Sequence, residues 1–339
     1  MPKKKPTIAD VARRAGVSKG AVSLTLNNRP GISQDTRERI LSAAAELNWQ
    51  PDRRGRSLAA SRAFALGLVI ARPPRLLEAD PFFPAFIAGV EAVLAEREYT
   101  LVLQVVRPGQ AEADAYRNLA RGGRVDGVFL SDLRHADPRL QLLAEVGLPA
   151  VTLNRPDVRS PFPAVCLDDG PGIAAAVRHL VELGHTRIAH VSGPSRFLHG
   201  AGRARAWRQA LAEAGLPPGP VVESDFSAAG GAAATRELLA GHPRPTAIVY
   251  ANDLMAIAGQ TAARAMGLSV PEDLSVTGFD DCELAAYMHP PLTTVATNAF
   301  GWGKRATAVL LDLIEGEEVA DVELPPTRLV LRGSTAPPS

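Results

Sequence analysis

From residue 66 onward, short apolar runs alternate with stretches whose apolar residues recur at helical spacing. LGLVIA (66–71), TLVLQV (100–105), DGVFL (126–130), PAVTL (149–153), IAHVS (188–192), AIVYA (247–251) and SVTGF (275–279) predict strands. Helical stretches over 84–97, 171–183, 203–214 and 300–315 lie between or after them. Strands buried on both faces read as continuous apolar runs, so the alternation predicts an α/β fold of parallel sheets covered by helices. So many units exceed one ordinary sheet and predict two lobes.

The first fifty residues follow a different pattern. Ile8, Val11, Ala12 and Ala15 recur at helical spacing, Thr7 and Asp10 form a capping pair, and Gly16 stops the helix. Ser18 is placed to cap a second helix that buries Ala21, Val22 and Leu26. Asn27 to Gly31 reads as a turn, and Ser33 caps a third helix carrying Ile40, Leu41, Ala44 and Leu47 inward. Two short helices joined by a tight turn and braced by a third describe an all-α helix-turn-helix headpiece. PDRRGRSLAASR (51–62) reads as a linker, and Gly55 costs any helix there about 1 kcal/mol. The expected plan is therefore a headpiece over 1–50, a hinge over 51–62 and a two-lobed core over 63–335, with Ala336–Ser339 a tail.

Charge separates the same parts. Residues 1–62 hold 13 of the 37 Lys/Arg but 5 of the 36 Asp/Glu, a net of +8 in a chain of overall charge +1. A basic head on an acidic body is an electrostatic footprint for a polyanion confined to the head. Two cysteines, Cys166 and Cys282, each read as lying in a strand, argue against a disulfide framework or thiolate metal site. No apolar run approaches the roughly 18 residues of a membrane span, and the basic start lacks the apolar stretch of a signal peptide, so the expected compartment is the cytoplasm.

The motifs add a resemblance. TIADVARRAGVSKGAVSLTLNNRPGIS and TRERILSAAAELNWQPDRRGRSL closely resemble the headpiece of the lac/galactose repressor (LacI/GalR) family. DPFFPAFIAGVE, VDGVFL, HLVELGHTRIAHVSG, TAIVYANDLMAIAG, VPEDLSVTGFDD, PPLTTV and LPPTRLVLRGST follow in family order, so the likeness covers nearly the whole chain. It implies a DNA-binding head, a hinge helix and a core like that of periplasmic sugar-binding proteins. It further implies a homodimer that reads palindromic double-stranded operators and answers to a small effector.

In the head, the second helix would enter the major groove by its N-terminal end. Lys19 is the expected base reader, since its ammonium can reach guanine O6 and N7. Gly20 and Ala21 bring the backbone close, and Ala21 can touch a thymine methyl. Ser18, Ser23, Thr25 and Asn27 have phosphate chemistry, and Thr7 joins the DNA-facing set. Leu24 stands where relatives commonly have a polar reader, which leaves it an apolar contact. Leu58 matches the family's minor-groove wedge, Arg53, Arg54 and Arg56 would attract phosphates, and Gly55 replaces a usual alanine.

In the core, the resemblance places the effector between the lobes. Of Phe82 and Phe83, Phe83 better matches the family's stacking aromatic; Phe226 matches a second aromatic wall, and Phe197 and His199 line the pocket in some relatives. Arg203 matches an arginine whose fork spans two ligand acceptors. Asn252 and Asp280 fall near the C-terminal ends of strands, where α/β sheets place ligands, and suit the hydroxyls of a polyol. Thr297 stands near a glutamine of some sugar-responsive relatives. A sugar effector is therefore expected, with a nucleobase or nucleoside as the alternative.

Enzymatic readings fare poorly. The neighbours in Asp168-Asp169 and Asp280-Asp281 point to opposite faces, so each pair supplies at most one pocket carboxylate. The seven histidines show no metal-ligand spacing, the lone G-x-G of GAGRARA is too weak for a dinucleotide site, and neither G-x-S-x-G nor a P-loop occurs. His185 reads as a cation at a helix C-terminus. No cofactor, metal or membrane partner is expected. A sugar-binding protein would lack the basic head, and a sugar-modifying enzyme would need an acid/base or metal constellation.

Overall fold

The computed structural model describes residues 6–26, 30–49 and 62–339, the Arg75 side chain excepted. The expected turn with Asn27, and the linker with Arg53, Arg54, Gly55, Arg56 and Leu58, lie outside the described residues. Backbone contacts divide the chain into Met1–Ala63 and Phe64–Ser339.

The first unit holds α1 (Ile8–Ala15), α2 (Lys19–Leu26) and α3 (Gln34–Glu46). Gly16, at φ 67°, turns its N–H back onto the end of α1 in the left-handed conformation that glycine adopts at helix ends. Ser18 Oγ accepts from the Ala21 N–H at 3.1 Å, and Ser33 Oγ from the Thr36 N–H at 3.3 Å, so both serines cap as expected. Val11, Val22 and Ile40 are fully buried, with Ala12, Ala15, Ala43 and Ala44 around them. Arg39 fastens α3 to the end of α1 by donating to the Ala15 carbonyl at 2.7 Å.

Two helix faces differ from expectation. Leu41 is 50% exposed while Ala43 is buried, so α3 turns Ala43 rather than Leu41 inward. Thr25 is 4% exposed and sits one turn from Val22 on the buried face of α2, which removes it from the phosphate-contacting set.

The second unit is two lobes. The first carries β1 (Ala65–Ile70), α4 (Pro74–Ala79), α5 (Phe82–Arg97), β2 (Thr100–Val105), α6 (Gln110–Arg121), β3 (Gly127–Leu130), α7 (Pro138–Glu145), β4 (Ala150–Leu153) and β5 (Ala164–Cys166). The second carries α8 (Gly170–Glu182), β6 (Ile188–Ser192), α9 (Leu198–Glu213), β7 (Val221–Glu223), α10 (Ala228–Ala240), β8 (Ala247–Tyr250), α11 (Asp253–Ala265), β9 (Ser275–Asp280) and β10 (Thr293–Ala296). The chain then returns to the first lobe with α12 (Ala299–Glu315) and β11 (Val322–Glu323), and ends in the second with β12 (Arg328–Val330).

Each sheet has six strands, in the orders β11-β5-β4-β3-β1-β2 and β12-β10-β9-β8-β6-β7. Every pairing is parallel except β12 on β10. Three segments therefore cross between lobes, after β5, after β10 and after β11. Across the first lobe α12 lies against α5 so closely that a Cβ at Gly303 would collide with the Phe86 carbonyl, and one at Gly89 with that of Phe300. Trp302 donates from Nε1 to the Val165 carbonyl at 2.9 Å, fixing α12 over the sheet.

The seven predicted strands all form, within a residue or so of their expected limits. The five strands not foreseen have two to four residues, too few for a pattern. Helix α9 starts at Leu198, ahead of the expected 203, because Gly200 and Gly202 dilute the apolar spacing. Cys282 precedes a 3₁₀ turn over Glu283–Tyr287 rather than lying in a strand.

The tail and His185 also need correcting. His185 is 1% exposed, and its ring meets Thr246 Oγ1 at 2.8 Å, Ser275 Oγ at 3.0 Å and the Ala336 carbonyl at 2.9 Å. Burial lowers its pKa, so it is a neutral internal strut and not a cationic helix cap. Ala336 is held in turn, its N–H donating to Ser275 Oγ at 3.0 Å, so the start of the tail belongs to the second lobe.

Candidate functional site

The strands of both lobes converge, by their C-terminal ends, on one polar cavity of ≈ 70 Å³. Arg72 follows β1, Ser131 and Asp132 follow β3, and Asn154 follows β4; from the second lobe come Asn252 after β8 and Asp280 at the end of β9. Asp169 and Trp302 reach it from beside the first two crossovers. Strand ends gather there because each βα turn opens on that edge of a parallel sheet.

Two arginines organise the lining. Arg72 donates from Nε and Nη2 to the two oxygens of Asp132, both at 2.6 Å, and from Nη1 to Asp80 at 2.7 Å. The same guanidinium lies 5.2 to 5.8 Å from the ring centroids of Phe83, Phe197 and Phe226. Burial opposes ionisation of Asp132, but the Arg72 charge and hydrogen bonds outweigh it and hold the carboxyl down at about 2. Asp80, with one such bond, is raised by burial.

Arg203 donates from Nε to Asp169 at 2.7 Å and from Nη1 to the Ala251 carbonyl at 2.6 Å, and its guanidinium lies 3.6 Å from the centroid of the Phe279 ring. The fork expected to grip a ligand is thus partly engaged by the protein, and Nη2 has no hydrogen-bond partner among the described residues. Asn252 is similarly committed. Its Oδ1 accepts from the Met255 N–H at 3.0 Å as the N-cap of α11, and its Nδ2 donates to the Phe226 carbonyl at 3.0 Å. It is a corner piece that leaves one N–H for other use, which corrects its reading as a free polyol partner.

Asp280 is different. Its backbone is held at φ 118°, its side chain faces the cavity, and no side chain of the described residues hydrogen-bonds its carboxylate. Burial first, then the neighbouring carboxylates of Asp253, Asp80 and Asp169, raise its pKa well above the usual carboxylate range against the pull of Arg203. An acid that faces a cavity without a side-chain partner is a site for a ligand hydroxyl.

The aromatic expectations divide. Phe82 and Phe226 line the cavity, as does His199, whose pKa burial lowers to about 3. Phe83 and Phe197 do not. Successive residues of a helix point about 100° apart, so α5 turns Phe82 to the cleft and Phe83, 1% exposed, into the first lobe's core. Phe197 is 4% exposed and stacks behind His199 at 5.5 Å, supporting the wall from the second lobe's core. Thr297 bonds the Asp280 carbonyl at 3.4 Å and stays out of the lining. Sequence reasoning missed Arg72, Asp80, Asp132, Asn154, Asp169 and Trp302. Four of the six stand within three residues of a strand's C-terminal end, a signal that was there to be read.

In the first unit, Thr7, Ser18, Lys19 and Gly20 are exposed, and Ala21, Ser23 and Leu24 are half-buried along α2. Thr7 donates through its N–H and hydroxyl to Asp10, at 2.9 and 2.7 Å. Lys19 heads the exposed N-terminus of α2, where a groove-entering helix presents its readers. Among the described residues no group of His, Cys, Asp and Glu could hold a metal, and no helix is long and apolar enough to cross a membrane.

A compact helix-turn-helix unit and a two-lobed α/β unit with a ligand cleft define a ligand-responsive, DNA-binding regulator. Residues 7–52 match bacterial regulatory proteins of the lacI family, and residues 177–335 a periplasmic binding protein-like domain. The HTH-type transcriptional regulator CelR of Thermobifida fusca is 36% identical over 98% of this chain and 99% of its own. The solved structure of a CelR–cellobiose complex matches at a TM-score of 0.75, 36% identity, over 97% of this chain and 99% of that one. The Lac repressor dimer bound to operator and the anti-inducer ONPF matches at a TM-score of 0.85, 30% identity, over 98% of this chain and all of that one. The chain belongs to the lacI family of DNA-binding transcriptional regulators.

Proposed function

We propose that this regulator represses transcription as a homodimer on a palindromic operator, and that a sugar bound between the lobes controls its grip on DNA. The observation that carries the effector class is Asp280, a half-buried carboxyl in the cavity wall, which together with Nη2 of Arg203 has no hydrogen-bonding side chain among the described residues. One acceptor and one donor in the same cavity suit adjacent sugar hydroxyls, which give and take hydrogen bonds at neighbouring carbons. The relative solved with cellobiose supports the same class. A nucleobase is the second reading, for which Phe82, Phe226 and Trp302 line the cavity with aromatic rings.

In the head, Lys19 reads a base, Ala21 and Leu24 make apolar contacts, and Thr7, Ser18, Ser23 and Asn27 meet phosphates. Arg53, Arg54 and Arg56 with Leu58 form the minor-groove hinge. The test is operator binding by the full chain at fixed salt, titrated with mono- and disaccharides and, separately, nucleobases. A sugar that shifts operator affinity supports the reading. A response confined to nucleobases overturns it.

A further inference from the structure

The loop over 131–137, after β3, holds two non-glycine residues in the left-handed region, Asp132 at φ 51° and Ala136 at φ 47°. Such backbone persists only where its surroundings over-determine it. Here they are a balanced set of two arginines and two carboxylates. Glu112 of α6, Asp137 and Arg139 of α7 are all buried. Arg139 donates to the two oxygens of Asp137 at 2.9 and 2.6 Å, to Glu112 Oε1 at 2.9 Å and to the Asp132 carbonyl at 2.8 Å. Arg134 takes the other Glu112 oxygen at 2.6 Å, and its backbone N–H donates to Asp137 at 3.0 Å.

The loop so fixed does two things. It sends Ser131 and Asp132 into the cavity wall, and it meets the second lobe away from the three crossovers. The Leu133 carbonyl accepts from the Leu198 N–H at 2.8 Å, and Arg134 forms an isolated antiparallel bridge with Phe197. Leu198 is the first residue of α9, and the first N–H groups of a helix have no partner within it. Phe197, at the N-cap, has no side-chain acceptor to offer. Helix α9 therefore takes a cap from the opposite lobe. A motion that parts the lobes here uncaps α9 and draws the Arg72 guanidinium away from Phe197 and Phe226.

We propose that Glu112, Arg134, Asp137 and Arg139 are positioning residues for an interlobe latch. Its closing contact is the Leu133 carbonyl on the Leu198 N–H, and its strength sets how often the cleft stands open to a ligand. The latch works whatever ligand the cleft takes.

Leu198→Pro is the sharp variant. Proline suits the first helical position, and Phe197, at φ −94° and ψ 134°, already has the extended backbone required before it. Helix α9 keeps its start while the donor is lost; Leu198→Ala removes the side chain and keeps the donor. Opening is read in the ligand-free full chain as acrylamide quenching of Trp302, buried in the cavity wall. Trp49→Phe serves as the background, since the remaining Trp207 is fully buried. Losing one hydrogen bond multiplies the open population roughly two- to tenfold, so the quenching constant should rise by about that factor in the proline variant over the alanine one. Glu112→Gln should raise it too, yet add nothing on top of Leu198→Pro, because both act on one bond. The wild-type Leu198 amide should exchange at least about tenfold more slowly than in an unstructured peptide, as for a tie closed in about nine molecules of ten. Equal quenching of the proline and alanine variants overturns the latch. So does an unprotected Leu198 amide, and additive effects of Glu112→Gln and Leu198→Pro overturn the positioning role.

Discussion

Arg72 and Asp132 form two parallel hydrogen bonds of 2.6 Å between the ends of β1 and β3, with both side chains about a tenth exposed. The pair joins neighbouring strands of one lobe, while the Arg72 guanidinium also lies against Phe197 and Phe226 of the other. Removing one partner strands a charge in the cleft. Arg72→Ala should destabilise the core unit by about 3–5 kcal/mol in urea unfolding. Arg72→Met combined with Asp132→Asn should cost clearly less than the two single changes added together, and additivity would show that the pair is not coupled.

Arg203→Ala should leave operator binding without ligand nearly unchanged and abolish the effector's influence on it. A ligand shifts the DNA-binding state only through its differential affinity for the two states. Loss of the contact through Nη2 should weaken the effector by on the order of 2–3 kcal/mol, or roughly 30- to 150-fold. Operator titrations with effector, wild type against variant, decide it.

Lys19→Ala should relax preference at one base position of each half-site rather than weaken all sequences equally, since base contacts specify and phosphate contacts only position. Binding to operators substituted one base at a time separates the two. A uniform loss would make Lys19 a phosphate contact.

His190 gives a pH test. It is fully buried on β6, its Nδ1 bonds the Val249 carbonyl at 2.8 Å, and burial pulls its pKa to about 4 from the ordinary 6.5. Because the unfolded chain takes up the proton first, stability is full above pH 6.5 and falls as the pH drops towards 4. Relative to His190→Gln, the wild type should lose about 2 kcal/mol between pH 6.5 and pH 5. Paired urea melts of the two proteins cancel the contributions of the carboxylates, and a gap that stays constant with pH would refute the shift.

What could be read in advance followed from pattern length. Strands of four to six residues such as Thr100–Val105 and Ile188–Ser192 carry a complete apolar run, and their limits came out as predicted. Val322–Glu323, two residues long, joins a sheet only because β5 lies beside it, which no local pattern encodes. In the cleft, Arg203, Asn252 and Asp280 were legible from motifs, but what they bond was not. Nothing in TAIVYAND announces that Asn252 spends its amide on Met255 and Phe226. Trp302 lay beyond reach altogether, since a residue in the first turn of a long helix meets the cavity only through the return of α12 to the first lobe.

That return has a consequence for how the protein is made. The first lobe's opening strand is β1, at residue 65, but the helix that covers its core and the strand that closes its sheet come from 299–315 and 322–323. A ribosome adding about 5–20 residues per second makes the first strands roughly ten to fifty seconds before their cover exists. Through that interval Phe86, Val90 and Leu94 of α5 have no α12 to lie against. The second lobe is also left waiting, since β12, at 328–330, supplies its last edge. Both lobes are therefore completed almost together, by elements that lie between residues 299 and 330.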